Sequence, residues 1–335
     1  MRIILDGMGG DNAPLEIVKG AVEASSKIDH QIVIAGREEE INAELAKYNY
    51  DESKIQVVHT SEVIENEDSP VKAIRRKTDS SMVKGLTMLK DGEGDLFISA
   101  GNTGAYMAGS LLILGRIPGV DRPAIASIYP IAGGALPSII VDAGANSECR
   151  PSNLLEFAIM GSLYMEKVMD RKNASVGLVN LGIEENKGTT VTKAAHKLLK
   201  EADINFIGNV EARDVPKGAC DVIVCDGFTG NIILKLTEGF AWNLLKTMKK
   251  KFTDGISAKM GAVLLAGKVK EIKDEFDYSE YGGAPILGVN GHVLKIHGSS
   301  GSAAVKNAII KGIPYAQENV VGRITSAMEG IDVEE

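Results

Sequence analysis

The sequence runs to 335 residues, 44% of them hydrophobic, and sets 37 Lys and Arg against 45 Asp and Glu for a formal net charge of -8. A chain of this length buries a sizeable core, as one large α/β domain or as two lobes, and its acidic balance excludes a dedicated nucleic-acid binder, which carries a basic footprint. Cys149, Cys220 and Cys225 lack CxxC spacing and the five histidines form no HExxH or HxH pattern, so neither a disulfide framework nor structural zinc is expected.

The opening "MRIILDGMGG" reads as a β-strand and not as a signal peptide, because no charged n-region leads into a long apolar stretch. No apolar run reaches the length that crosses a bilayer, and a cytoplasmic globular protein is the expectation. From there one unit recurs: a β-branched strand, a small-residue loop, a helix. "RIILD" leads through "GMGGDNAP" into "LEIVKGAVEAS", and "DLFISA" through "GNTGA" into an apolar segment. "SIIVDAGANSECRP" is followed by "SNLLEFAIMGSLYMEKV", and "SVGLVNLGIEENKGT" by "TVTKAAHKLLKEA". "DVIVCDGFTGN" is followed by "IILKLTEGFAWNLLKTMKKKF", and "HVLKIHGSSGS" by "AAVKNAIIKGI". Continuous apolar strands alternating with helices predict one α/β architecture over residues 1–335, a mostly parallel sheet with helices on both faces. The loops after the strand C-termini should then gather at one sheet edge, where open α/β sheets bind ligands. Only the closing "GIDVEE" reads as disordered.

The stretch "ISAGNTGAYMAGS" at 98–110 raises the functional question. Gly101 and Gly104 allow close backbone approach, the helix start offers free N–H groups, and Ser99, Asn102 and Thr103 add short donors. "HGSSGS" at 297–302 repeats that chemistry with His297, Ser299 and Ser300. The ligand that suits both loops is phosphate, free or esterified. A glycine-rich turn is often only a tight connection, but two more loops add directional groups: "EENKG" brings Lys187, and "CDGFTGN" brings Asp226, Thr229 and Asn231. GxxxxGK[ST] is absent, "GMGGDN" lacks the third glycine of a dinucleotide fingerprint, and there is no GxSxG elbow. Cys149 and Cys225 are the candidate acyl-carrying nucleophiles, although a cysteine ending an apolar strand, as Cys225 does, is usually a small buried residue.

Taken together, "DGMGGDNAP", "DSPVKAIRRKTDSSM", "SAGNTGA", "VDAGAN", "GNVEARD", "DGFTGN" and "YGGAPILGVNG" with "HGSSG" resemble the bacterial phosphate acyltransferases of glycerolipid synthesis, the PlsX family, in order from residue 6 to residue 301. Gly7 and Ala212 depart from the commoner pattern by small-for-small changes. The resemblance implies that acyl-ACP (ACP, acyl carrier protein) and orthophosphate give acyl phosphate and free ACP, which feeds a membrane-bound glycerol-3-phosphate acyltransferase. It implies a fold similar to phosphotransacetylases and to isocitrate and isopropylmalate dehydrogenases, and a homodimer; no cofactor and no metal are expected.

Phosphate can attack a thioester directly, so the site needs only to hold phosphate and the developing oxyanion together. On that chemistry Gly101, Asn102, Thr103 and Gly104 cradle phosphate with Ser299 and Ser300, while Lys187 and Asn231 orient phosphate or stabilise the oxyanion. His297 is a candidate acid, or else a histidine that caps the strand end. Arg75, Arg76 and Lys77 either attract phosphate groups or form a solvated helix face. Residues 241–275 read as a lysine-rich helical projection. Between 246 and 273, eight lysines, Lys249, Lys250 and Lys251 among them, face only Asp254 and Glu271, around an apolar patch of Ile256, Met260, Val263, Leu264 and Leu265. Dimerisation, docking of acidic ACP and contact with an anionic membrane all suit such a segment. The rival functions are a phosphotransacetylase-like enzyme using acyl-CoA, a dehydrogenase of the isopropylmalate type, for which neither a metal-binding carboxylate cluster nor a nicotinamide site is evident, and a non-catalytic phosphate-binding protein.

Overall fold

Strands β1 (Arg2–Asp6), β2 (Gln31–Gly36), β3 (Ile55–His59), β4 (Leu96–Ser99) and β11 (Val293–Lys295) form one parallel block in the order β3-β2-β1-β4-β11. The computed structural model that shows this describes residues 1–329 other than 132, 134–135 and 276–280. The tail at 330–335, expected to be disordered, and the side chain of Ile256 lie outside the described residues. Along β1 the side chains of Ile3 and Leu5 enter one apolar core and that of Ile4 enters another. Burial on both faces is why these strands read as unbroken apolar runs. Helices α1 (Leu15–Ser25) and α10 (Ser302–Gln317) pack together on the first of those faces. Helix α5 (Thr103–Gly109) belongs to the second, through Ala105 and Tyr106.

A second parallel block follows the order β6-β9-β7-β8, from β6 (Ser138–Val141), β7 (Ser175–Asn180), β8 (Asn205–Glu211) and β9 (Val222–Val224). Between the blocks stand β5 (Ala124–Tyr129) and β10 (Ala284–Leu287), two strands the sequence reading did not separate. The pairings β11–β10, β10–β5 and β5–β6 are antiparallel. Three reversals leave the two blocks pointing in opposite directions, which corrects the expectation of a single edge carrying every loop.

The stagger of β5 restores a common site. Ala124 and Ile125 pair with Leu287 and Ile286 of β10, whereas the rest of β5 pairs with β6, Ala126 lying opposite Val141. Ala284 of β10 lies opposite Lys295, which lies opposite Ser99. The last residues of β4, β11 and β6 therefore all stand beside the middle of β5, and loops from both blocks open onto one cleft. Gly10, at a φ of 100°, seals the β1 loop beneath it: a Cβ there would lie 2.9 Å from the Gly298 carbonyl oxygen and 2.8 Å from the Ala100 side chain.

Helix α8 (Gly227–Phe252) leaves the second block and turns into α9 (Ile256–Glu275), which packs on α8 and is otherwise exposed along most of its length. The lysine-rich stretch occupies this helical pair. No helix among the described residues is long and apolar enough to cross a membrane.

Candidate active site

The floor of the cleft begins with a polar row at the strand ends. Asp6 is buried, and it accepts hydrogen bonds from Ser81 Oγ and Ser99 Oγ, each at 2.6 Å. Burial pushes its carboxyl above the usual carboxylate range while these donors pull against the rise. Ser99 Oγ in turn accepts from the Gly101 N–H at 3.0 Å. Next in the row, Lys295 is 9% exposed and its ammonium group donates to the Ile296 carbonyl. Burial lowers its pKa to about 8, against the opposing pull of Asp6 and Asp11. The sequence reading missed Lys295. Its signal was present, since a lysine in "HVLKIHG" interrupts an otherwise apolar strand.

On the opposite side the loop after β6 is wound around the buried carboxylate of Asp142. Asp142 accepts from the backbone N–H groups of Ile125, Gly144, Ala145 and Asn146 at 2.7–3.1 Å, and from the Asn146 side-chain amide at 2.9 Å. The start of α8 presses on the same loop: a Cβ on Gly230 would come within 1.9 Å of the Asp142 carbonyl oxygen, so only glycine fits. Asp226 caps α8, accepting from Thr229 N and Thr229 Oγ1 at 2.8 Å each. That capping role takes up both residues and leaves Asn231, one turn on, beside Gly144.

Between these walls lies a cavity of about 880 Å³. One part of its lining is polar: Thr103, Asn231, Lys295, His297, Ser299 and Ser300. Another is apolar: Ile128, Leu234, Ala241, Trp242 and Leu245. Five residues singled out from the sequence thus meet in one place: Thr103, Asn231, His297, Ser299 and Ser300. No hydrogen bond from the side chains of Thr103, Asn231 or Ser300 is formed among the described residues, so their donors remain for a ligand. His297 Nδ1 lies 2.8 Å from Ser299 Oγ and accepts the Ser299 N–H at 3.2 Å. In the neutral ring that acceptor role fixes the proton on Nε2.

The remaining candidates are placed elsewhere. Gly101 and Asn102 were expected to cradle phosphate, but the Gly101 N–H is taken by Ser99. Asn102 caps α5 by accepting from Ala105 N at 2.9 Å, and its amide ties down the Asn66 carbonyl at 2.9 Å. Gly104 makes room for Pro70, whose Cγ a Cβ would approach to 2.8 Å. Lys187 stands exposed on the loop after β7 and does not line the cavity. Lys77 donates to the Val63 carbonyl and to Asp68 at 2.7 and 2.5 Å, while Arg75 and Arg76 end an exposed helix face. Burial pushes the Cys149 and Cys220 thiols up to about 12 and holds Cys225 well above the usual thiol range, so thiolate chemistry is not favoured at these positions. Lys249, Lys250 and Lys251 are exposed on α8; Leu264, 85% exposed, and Leu265 lie on α9.

The fold defines a class. A phosphotransacetylase from Streptococcus pyogenes superposes with a TM-score of 0.63 at 16% identity, covering 95% of this chain and 94% of that one. A 4-hydroxythreonine-4-phosphate dehydrogenase from Klebsiella pneumoniae shares the architecture more distantly, with a TM-score of 0.55 at 10% identity over 95% and 98% of the two chains. The sequence then narrows the class. A family described as "Fatty acid synthesis protein" matches residues 1–323, and the phosphate acyltransferase of Alkaliphilus oremlandii is 52% identical over 335 residues, 100% of this chain and 99% of that protein. The chain belongs to this phosphate acyltransferase (PlsX) family and is an acyltransferase.

Proposed function

We propose that the cavity transfers a fatty acyl group from acyl-ACP to orthophosphate, giving acyl phosphate and free ACP for phosphatidic acid synthesis. The observation that carries this reading is the two-sided lining. Hydroxyls, an amide and a lysine suit phosphate and an oxyanion, and the Leu234–Trp242–Leu245 wall of α8 suits an acyl chain. A phosphate oxygen attacks the thioester carbon, the C–S bond breaks, and the proton carried by hydrogen phosphate ends on the departing thiolate, so no outside acid or base is consumed. Asn231 donates to the developing oxyanion. The His297 Nε2–H donates a hydrogen bond to the departing sulfur, while the proton itself comes from hydrogen phosphate. Lys187, exposed on the loop after β7, is the further candidate for orienting phosphate or the oxyanion, and Lys187→Ala in the same assay tests it. The test is product identity: protein incubated with palmitoyl-ACP, phosphate and hydroxylamine should yield the acyl hydroxamate, and none should form when phosphate is withheld.

The helical pair supports the partner side of the reading. Exposed Lys249, Lys250 and Lys251 suit the acidic surface of ACP. Phe228, Ile232, Leu236, Phe240 and Leu244 form an exposed ridge at four-residue spacing along α8, the geometry by which helices of two copies interlock in a homodimer. Met260, Val263, Leu264 and Leu265 expose an apolar patch on α9 between lysines, suited to peripheral contact with the anionic membrane that holds the next acyltransferase. Leu264→Asp with Leu265→Asp should abolish co-sedimentation with phosphatidylglycerol vesicles while leaving acyl transfer in solution intact. Undiminished sedimentation would remove the membrane role.

A further inference from the structure

Three described lysines line the cavity, and their surroundings differ. Lys235 bonds Glu238 at 2.8 Å on α8, and Lys273 is exposed on α9. Lys295 is buried on the floor, with no carboxylate within ion-pair distance among the described residues. An ammonium group held out of water without a counter-ion is unfavourable in the free protein, and such a group in a cleft points to a ligand anion.

The sheet register shows how it is held there. Lys295 lies opposite Ser99, and Asp6 follows Leu5, which lies opposite Ile98, so the three residues end adjacent parallel strands at one level and share a face. The hydroxyls of Ser81 and Ser99 occupy the Asp6 carboxylate oxygens. Asp6 thus lends negative potential without forming a direct ion pair that would withdraw Lys295 from the cavity. One N–H of the ammonium group is spent on the Ile296 carbonyl, leaving two.

We propose that Lys295 is the phosphate-binding cation of the reaction, its ammonium group and the hydroxyls of Thr103 and Ser300 holding the attacking phosphate opposite Asn231. This rests on the acyl-transfer reading above. Lys295 keeps its proton throughout, so it binds phosphate without taking part in proton transfer. Its pKa near 8 in the free protein sets a sign. The charged form binds phosphate, so kcat/KM for phosphate falls as pH rises through about 8. Bound dianion raises the ammonium pKa, so kcat at saturating phosphate holds to higher pH.

The test compares the full-length parent with Lys295→Met and Lys295→Arg in phosphate-dependent thiol release, and in titration with inorganic phosphate alone followed by 31P NMR. Lys295→Met should raise the KM and Kd for phosphate roughly 10- to 100-fold, the worth of a charge-assisted hydrogen bond, with the KM for acyl-ACP unchanged. Lys295→Arg should recover part of the affinity and carry the kcat/KM plateau above pH 8, since guanidinium stays charged. Parental phosphate affinity and pH profile in Lys295→Met would overturn the proposal. The binding arm separates the two claims. Weakened phosphate binding in a protein that turns over no acyl-ACP sustains the lysine assignment and removes the reaction, whereas equal Kd values remove the lysine assignment whatever the turnover. Circular dichroism confirms folding, and Lys295→Gln takes the place of Lys295→Met if that variant does not fold.

Discussion

Asp142→Ala is expected to destabilise the protein by on the order of 4 kcal/mol, a large part of the 5–15 kcal/mol that holds a typical fold. The carboxylate organises a whole loop: four backbone N–H groups and the Asn146 amide converge on it. Alanine removes every acceptor at once and leaves these donors facing protein, each costing roughly 1–3 kcal/mol if water cannot reach it. Burial pushes this carboxyl above the usual carboxylate range while the donors pull it down. Asparagine keeps one oxygen but turns an NH2 toward N–H groups, so Asp142→Asn should fall between alanine and the parent. Urea unfolding checks this, and a loss under about 1 kcal/mol for the alanine variant would contradict it. Because the same loop carries Gly144 against Asn231, activity should fall at temperatures where the variant is still folded.

Asn231→Ala should do the reverse, sparing the fold and removing the chemistry. Its side chain is exposed to the cavity and forms no hydrogen bond among the described residues. Alanine also suits a helix, so stability should change by no more than about 0.5 kcal/mol. An amide aimed at a developing oxyanion is worth about 10²–10³ in kcat. The expectation is a loss of that size with little change in KM for phosphate, read from full kinetics in both substrates. A kcat within about threefold of the parent would mean that Asn231 does not face the reacting carbonyl, because a real oxyanion donor contributes far more.

What the sequence disclosed followed physical rules that act locally. Strands such as "RIILD" and "DVIVC" are buried on both faces and so announce themselves as apolar runs, and the loops behind them announce small residues. The reversal of sheet direction was not legible, since it depends on two short strands, β5 and β10, whose antiparallel pairing joins residues about 160 positions apart. That pairing also decided which loops meet. Asn231 follows β9, the neighbour of β6, and enters the cavity, while Lys187 follows β7, one strand farther from the β5 crossing. The glycines of "SAGNTGA" also answer a packing need that the sequence does not display. Gly101 and Gly104 make room for Met82 and Pro70, and of that loop only Thr103 reaches the cavity lining. Lys295 was overlooked because a lone lysine in a strand usually marks a solvated face, and only the register with Ser99 and Asp6 shows it to be buried.

In the proposed reaction phosphate itself takes the acyl group from ACP. The most direct test is release of free ACP thiol from palmitoyl-ACP, with and without phosphate, alongside acetyl-CoA as the rival donor. Thiol release should depend on phosphate, saturate with it and be faster from palmitoyl-ACP. Release independent of phosphate, or turnover of acetyl-CoA alone, would contradict it.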